Sequence, residues 1–107
     1  MNIKTVNCQT LKNWLKNDQV ILVDVREIEE NMVSHIKDSI LIPLGFISLN
    51  KIPDLSGKKL VIQCRSGKRS ASACEKLLTE NPNLDIYNLE GGILAWASCN
   101  YPIETNK

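Results

Sequence analysis

One of the four cysteines in this chain is followed directly by basic, hydroxyl and glycine residues. Residues 64–70 read Cys-Arg-Ser-Gly-Lys-Arg-Ser, between an apolar run at 59–63 and a helix-forming stretch at 71–78. The first N–H groups of a helix lack intrahelical partners and the helix dipole adds positive potential, so an anion is stabilised at such a strand-to-helix junction. The sequence therefore places Cys64 where its thiolate is favoured.

The residues after this cysteine are suited to binding an anion. Arg65, Lys68 and Arg69 bring three positive charges to one turn. Helix N-termini and neighbouring Lys or Arg lower the pKa of a thiol from about 8.5 to roughly 3.5–7.5. Gly67 permits the close approach and left-handed backbone with which a loop aims its N–H groups inward. We interpret Cys64 as a nucleophile in an anion cradle formed by Arg65, Ser66, Gly67, Lys68, Arg69 and Ser70.

Alternative roles exist for two residues of this segment. Cys64 could be a buried core thiol, but a core thiol does not require serine, glycine and three cations directly after it. Ser70 could donate its hydroxyl hydrogen to the sulfur, or it could only cap the following helix. We favour the nucleophile for Cys64 and leave both roles open for Ser70.

The other three cysteines give no sign of metal binding or of a disulfide framework. Cys8, Cys74 and Cys99 show neither closely spaced metal-ligand pairs nor the density of a secreted, disulfide-stabilised domain. Cys74 falls in a helical stretch rich in Ala and Leu and is predicted to be a core residue. Cys8 lies in the first turn of a predicted helix, where thiolate is favoured, and is the better candidate for oxidation. We expect reduced thiols, no metal and no cofactor.

Length and composition limit the possible classes of protein. The chain has 107 residues, 43% of them hydrophobic, with 13 Lys and Arg against 12 Asp and Glu. This size suits one domain over residues 1–107, and a net charge of +1 gives no reason to expect nucleic-acid or membrane-surface binding. No apolar stretch approaches the roughly 20 residues of a membrane helix, and the N-terminus lacks a signal-peptide pattern. We expect a cytoplasmic monomer.

Short apolar runs alternate along the chain with amphipathic segments, as in a parallel sheet covered by helices. Such an α/β fold brings Asp24 and Cys64 to one edge, because ligand crevices lie beyond the carboxyl ends of parallel strands. Asp24, Arg26 and Glu27 are interpreted as a structural charge network beside the site. The predicted strands cover residues 4–6, 20–24, 39–43, 59–63 and 85–89. The predicted helices cover residues 8–16, with Asn7 as the N-cap, and residues 26–31, 44–49 and 68–81. A last predicted helix runs from residue 92 to a left-handed stop at Asn100.

Four blocks of this sequence resemble the rhodanese family of sulfurtransferases, over nearly the whole chain. They are Val-Asp-Val-Arg-Glu at 23–27, Ser-His-Ile-Lys-Asp-Ser-Ile-Leu-Ile-Pro at 34–43, the loop at 64–70, and Leu-Glu-Gly-Gly-Ile-Leu-Ala-Trp at 89–96, followed by Tyr101 and Pro102. The resemblance implies a rhodanese-like α/β domain, with a central parallel sheet of about five strands and helices on both faces. The second block departs from the usual Gly-His-Ile-Pro-Gly-Ala, so we expect a turn of different shape there.

The resemblance also implies a reaction and its partners. Cys64 would take the outer sulfur of thiosulfate or a similar donor, become a persulfide, and pass that sulfur to cyanide or a thiol. A thioredoxin-like protein or another sulfur-accepting protein is a further candidate partner. Arg65, Lys68 and Arg69 would hold the sulfonate and the departing sulfite. His35, the only histidine, is expected to be structural in this fold, since a preformed thiolate needs no separate base.

Three other functions are weighed against this reading. A phosphatase of the related cell-cycle type would need an arginine six positions after the nucleophile, where this chain has Ser70, while Arg69 falls at five. A persulfide carrier or sensor fed by a protein donor needs the same loop, so the sequence does not separate it from the enzyme. A non-catalytic interaction module is disfavoured because Cys64 is retained.

Overall fold

Parallel strands form the central sheet of the protein, with a small antiparallel ribbon beside it. The computed structural model describes residues 3–105. The strands are β1 (Thr5–Val6), β2 (Val20–Asp24), β3 (Ser34–Ile36), β4 (Ile40–Leu41), β5 (Lys59–Gln63), β6 (Ile86–Leu89) and β7 (Ile103–Thr105). The helices are α1 (Cys8–Lys16), α2 (Ile28–Val33), α3 (Lys68–Glu80) and α4 (Gly92–Ser98). The predicted domain of residues 1–107 thus extends beyond the described residues at both ends.

The sheet has the order β1-β6-β5-β2-β4, and every pair in it is parallel. Each strand-to-strand connection therefore crosses over the sheet, and helices lie on both faces, which confirms the predicted fold class. Asp24 pairs in register with Gln63, so β2 and β5 end at the same level. The residues that follow these two strands consequently meet at one edge of the sheet.

Two hydrophobic clusters lie on the two faces of the sheet. Along β5, Leu60 and Ile62 belong to one cluster and Val61 to the other, because successive side chains of a strand point to opposite faces. One cluster includes Ala73, Cys74 and Leu77 of α3, and the other includes residues of α1 and α4. Burying a Leu, Ile or Val side chain stabilises the fold by about 1.5–3 kcal/mol. The site-bearing strand is therefore anchored on both faces.

The first helix begins as its sequence predicts. Asn7 is the N-cap of α1, and its side-chain Oδ1 accepts a hydrogen bond from the N–H of Thr10 at 2.8 Å. Leu11 is fully buried, and Trp14 packs partly buried against the same cluster. The left-handed stop at Asn100 is also confirmed, with φ of 61°.

Other predicted boundaries were wrong in identifiable ways. The strand predicted at 39–43 pairs only over Ile40–Leu41, and the helix predicted at 44–49 is two 3-10 turns at Leu44–Phe46 and Leu49–Lys51. The helix predicted at 26–31 begins at Ile28 instead, because Glu27 and Glu30 form a reciprocal capping box. The ribbon of β3 with β7 was not predicted, since three-residue strands leave too short a pattern to detect.

Within residues 3–105, no helix is long and apolar enough to cross a membrane.

Candidate active site

Cys64 lies directly after β5, in the loop that leads into α3. Its side chain belongs to the core cluster, and the residue is only 1% exposed. Gly67 is the N-cap of α3 and has φ of 111°, in the left-handed region that favours glycine. The chain therefore turns sharply between residues 64 and 67 and wraps the loop around the sulfur.

The N-terminus of α4 fixes the direction of the loop's peptide groups. The N–H of Ile93 donates to the carbonyl of Cys64 at 2.9 Å, and the N–H of Leu94 donates to the carbonyl of Arg65 at 3.2 Å. In a trans peptide the N–H points opposite to the carbonyl, so the N–H groups of the following residues turn away from α4. Gly92 permits this contact, because a Cβ there would lie 2.4 Å from both carbonyl oxygens.

The Cys64 sulfur has two polar neighbours from the loop and the start of α3. The N–H of Gly67 donates to Sγ at 3.0 Å, and the Ser70 hydroxyl lies 3.2 Å from it. Burial, the largest single effect, raises the pKa of the Cys64 thiol. Hydrogen bonds from the Ser70 hydroxyl and from the backbone N–H groups of Ser70, Gly67 and Ser66 lower this pKa, and together they outweigh burial, so the net shift is downward. The thiolate is stabilised by the backbone N–H groups, and by Ser70 when its hydroxyl hydrogen points to Sγ, and not chiefly by the three cations expected from the sequence.

Ser70 is not the cap of α3. Gly67 occupies that position, and Ser70 is fully buried. The Ser70 hydroxyl donates to Oδ1 of Asn88 on β6, and Nδ2 of Asn88 donates in turn to the carbonyl of Gly67 at 3.0 Å. Asn88 was missed by the sequence analysis. Its signal was a polar residue inside the strand Ile-Tyr-Asn-Leu at 86–89.

The three basic residues of the loop have different surroundings. Arg69 makes two hydrogen bonds to the Glu30 carboxylate, at 2.7 and 2.9 Å. The contact with Arg69 is the main cause that lowers the pKa of Glu30 to about 2, and it raises the pKa of Arg69. Within residues 3–105, Arg65 and Lys68 take part in no ion pair. Arg65 and Lys68 thus keep charges that no carboxylate of the described residues pairs with, whereas Arg69 joins the loop to α2.

Asp24 and Arg26 form the buried network expected beside the site. Arg26 donates from Nε and Nη2 to the Asp24 carboxylate, the shortest of these bonds being 2.9 Å, and from Nη2 to the carbonyl of Ser34 at 2.7 Å. Asn31 also donates to Asp24. These bonds join β2, α2 and β3. Glu27 is not part of this network, because its side chain caps α2.

His35 lies on β3 and contacts neither the cysteine nor its loop. Its Nδ1 lies 3.2 Å from the carbonyl of Asn31, and its Nε2 lies 3.2 Å from Oε1 of Glu104 on β7. These contacts join the ribbon to the end of α2. The geometry fits the structural role expected for His35.

The remaining thiols are all free and differ in exposure. Cys74 is buried in the core, and this burial is the main cause that raises its pKa to about 12. Burial and the neighbouring Cys99 also raise the pKa of Cys8, so the expected thiolate at the first turn of α1 was wrong. Cys99 is exposed. Among the described residues, no group of three or more His, Cys, Asp or Glu side chains could hold a metal ion.

The sequence of this chain matches known proteins over most of its length. Residues 7–99 match the model of the rhodanese-like domain. A sulfurtransferase of Allochromatium vinosum is 32% identical over 102 residues, covering 94% of each chain. The uncharacterized protein slr1261 of Synechocystis is 37% identical over 96% of this chain, which spans only 57% of that protein.

A solved structure shares both the fold and a clear fraction of the sequence. The rhodanese-related protein of Thermoplasma volcanium superposes with a TM-score of 0.80 at 32% identity, covering 94% of this chain and 97% of that one. The domain match extends from α1 to the end of α4 and includes the cysteine loop. This chain belongs to the family of rhodanese-like domains.

Proposed function

We propose that this protein is a sulfurtransferase that carries sulfur as a persulfide on Cys64. Membership of the rhodanese-like family and the sulfurtransferase among its relatives support sulfur transfer in general. The single observation that carries the proposal is the buried Cys64 sulfur, which accepts the Gly67 N–H and has a lowered pKa. A thiolate is the form that attacks sulfur–sulfur bonds.

With thiosulfate as donor, the reaction balances without any other reagent. The Cys64 thiolate attacks the outer sulfur of thiosulfate, a new S–S bond forms, and the electron pair of the old S–S bond leaves with sulfite. The Cys64 persulfide anion remains. A thiophilic acceptor, cyanide or a thiol, then attacks the outer sulfur and releases the Cys64 thiolate. Cyanide leaves as thiocyanate, and a thiol leaves as a persulfide.

The surroundings of the Cys64 sulfur are suited to the persulfide anion and to the sulfite that leaves the donor. Loop N–H groups turned away from α4 can donate to the outer sulfur of the persulfide, as backbone amides do in other anion-binding loops. Arg65 and Lys68 carry the charge for the sulfonate of the donor and for the departing sulfite. His35 plays no part in this scheme, because the proton has already left the thiol.

A persulfide carrier fed by a protein donor is the second candidate function. Val33, Leu94 and Arg65 line one groove of about 280 Å³ beside the loop, and Val33 is 69% exposed and Leu94 45%. Exposed apolar side chains next to a reactive centre are typical of a surface that binds another protein. This groove favours a protein partner, of thioredoxin-like or other sulfur-accepting type, in addition to small-molecule donors and acceptors.

The proposal includes a cytoplasmic monomer. The free state of Cys8, Cys64, Cys74 and Cys99 supports a reducing compartment, in which thiols persist. A core that covers both faces of the sheet supports a chain that is stable by itself.

The test is intact-mass spectrometry before and after incubation with thiosulfate, followed by a thiol or cyanide acceptor. We expect the unsubstituted protein to gain one sulfur atom and to lose it to the acceptor, while Cys64→Ser gains none. Cys99→Ser is the matched control, since it removes an exposed thiol and should load normally. Loading of Cys64→Ser would disprove the assigned nucleophile. Loading only by a desulfurase, and not by thiosulfate, would favour the carrier.

A further inference from the structure

Asn88 is the one polar side chain that contacts both the turn of the cysteine loop and the hydroxyl beside the sulfur, among the residues that the structure describes. It lies on β6, in register with Thr5 of β1 and Ile62 of β5, and is only 8% exposed. The residue is thus held by strands on both sides. A buried amide so fixed can set the position of groups that lie in a loop.

The amide of Asn88 has a defined orientation. The carbonyl of Gly67 only accepts hydrogen bonds, so the atom that faces it at 3.0 Å must be the donor, Nδ2. The acceptor Oδ1 then faces Ser70. Since Oδ1 cannot donate, the bond between these two side chains uses the hydroxyl hydrogen of Ser70.

This orientation decides how Ser70 meets the sulfur. A hydroxyl has one hydrogen, so Ser70 turns a lone pair toward Cys64 while its hydrogen is given to Asn88. The thiol of Cys64 can donate to that lone pair, 3.2 Å away. A thiolate cannot donate, and it is stabilised by Ser70 only if the hydroxyl hydrogen turns from Asn88 to the sulfur. The amide and the thiolate therefore compete for one hydrogen.

We propose that Asn88 is a positioning residue for sulfur transfer, which holds the Gly67 turn through Nδ2 and competes with the Cys64 thiolate for the hydroxyl hydrogen of Ser70 through Oδ1. The proposal rests on the function proposed above. In the persulfide the negative charge moves to the outer sulfur, so the inner sulfur no longer demands the hydrogen and Ser70 can return it to Asn88. The hydroxyl would thus exchange its hydrogen bond to Asn88 for one to Cys64 and back in each catalytic cycle, and no covalent bond changes besides those of the transfer itself.

The experiment measures the pH dependence of alkylation at Cys64 by iodoacetamide, with the modified peptide quantified by mass spectrometry. Asn88→Asp keeps the size of the side chain, adds a charged acceptor for Ser70 and removes the donor to Gly67. We expect the alkylation midpoint to rise by about one pH unit, which corresponds to about tenfold slower alkylation below the midpoint. Alkylation of Cys99 in the same sample is the internal control and should not change.

The route through Ser70 is tested by repeating the substitution in a Ser70→Ala background. If Asn88 acts through the hydroxyl, the shift caused by Asn88→Asp should fall to less than half of its size there. A shift of half its size or more, or no shift in the Ser70 protein, would overturn the proposal. The double comparison removes the direct effect of the added charge, which is present in both backgrounds.

A second series keeps the test decisive if Asn88→Asp does not fold. Asn88→Ala removes the competitor for the Ser70 hydrogen, so the alkylation midpoint should be lowered more, or raised less, when Ser70 is present than when it is alanine. Equal changes in the two backgrounds would contradict the proposal. Because alkylation needs no sulfur donor, the result stands even if thiosulfate fails to load Cys64, and kcat/KM with thiosulfate then tests the proposed function separately.

Discussion

The closest steric constraint at the site comes from one glycine. A Cβ at Gly92 would lie 2.4 Å from the carbonyl oxygens of Cys64 and Arg65, where backbone atoms cannot give way cheaply. Gly92→Ala should therefore push the loop from α4, turn its N–H groups and reduce sulfur loading of Cys64 by at least about tenfold, which corresponds to about 1.4 kcal/mol. Loading rates measured by intact mass would check this.

Gly45 provides the matched control for that substitution. A Cβ at Gly45 has no atom within 4 Å, and its φ is not in the left-handed region. Gly45→Ala should load sulfur at the rate of the unsubstituted protein. Equal loading by both alanine variants would show that the contact between α4 and the loop does not shape the cradle.

The thiol pKa gives a second prediction for single residues. Because the pKa of Cys64 is lowered and that of Cys74 is raised to about 12, Cys64 should form thiolate at a lower pH than Cys74. The initial rate of sulfur loading should fall as pH drops through the pKa of Cys64, and Cys74 should stay unmodified at neutral pH. Peptide mapping after alkylation from pH 5 to 9 would measure both. Faster modification of Cys74 than of Cys64 would contradict the assignment.

At the scale of elements, the pair of Arg69 and Glu30 connects α3 to α2. The pKa of Glu30 is lowered from 4.5 to about 2, so the pair stabilises the fold above pH 4.5 and loses this contribution as pH falls from 4.5 toward 2. Glu30→Gln should therefore lower the melting temperature at neutral pH and flatten its decline over that acid range. Glu29→Gln, on the same helix, is the control and should keep the decline. An unchanged acid profile in Glu30→Gln would show that the pair is not formed in solution.

The buried pair of Asp24 and Arg26 should matter more to stability than any surface pair. Asp24→Ala leaves a guanidinium buried without its partner, and breaking a buried pair in this way costs about 3–5 kcal/mol. Urea unfolding should show a large fall in midpoint. Asp85→Ala, which removes the half-exposed partner of Lys4, should change it little. Similar midpoints for the two variants would mean that the network at the sheet edge is not structural.

Sequence reasoning succeeded for elements with a strong local signal and failed where partners are distant in the chain. The strand at Lys59–Gln63, the cap at Asn7 and the cysteine at a strand-to-helix junction all follow from neighbouring residues. Asn88 lies 18 residues from Ser70, and Glu30 lies 39 residues from Arg69. No periodicity in the sequence reveals such pairs. The sequence therefore assigned the stabilisation of the Cys64 thiolate to the three cations, whereas hydrogen bonds provide it and Arg69 is paired with Glu30 of α2.

At the scale of the whole molecule, the β3–β7 ribbon is separate from the sheet that carries the site. It pairs Ser34–Ile36 with Ile103–Thr105, and β7 has no fully buried residue. Truncation after Pro102 removes β7 but keeps the carbonyl that accepts the Trp96 Nε1–H. We expect a lower urea midpoint, because Ile103 leaves the cluster that includes Ile36, and unchanged sulfur loading of Cys64.

Truncation after Thr105 is the control for this whole-molecule prediction, since it keeps the entire ribbon, and its urea midpoint and loading should match those of the full chain. The physical reason is that the loop at Cys64 is held by α4, by Asn88 and by Ser70, none of which belongs to the ribbon. If truncation after Pro102 abolished loading while the protein remained folded by circular dichroism, the network from Asp24 through Arg26 to Ser34 would have to transmit the ribbon's position to the loop. Stability and sulfur loading would then be coupled across the molecule. The geometry of the loop contacts predicts the opposite, that the ribbon affects stability and leaves loading unchanged.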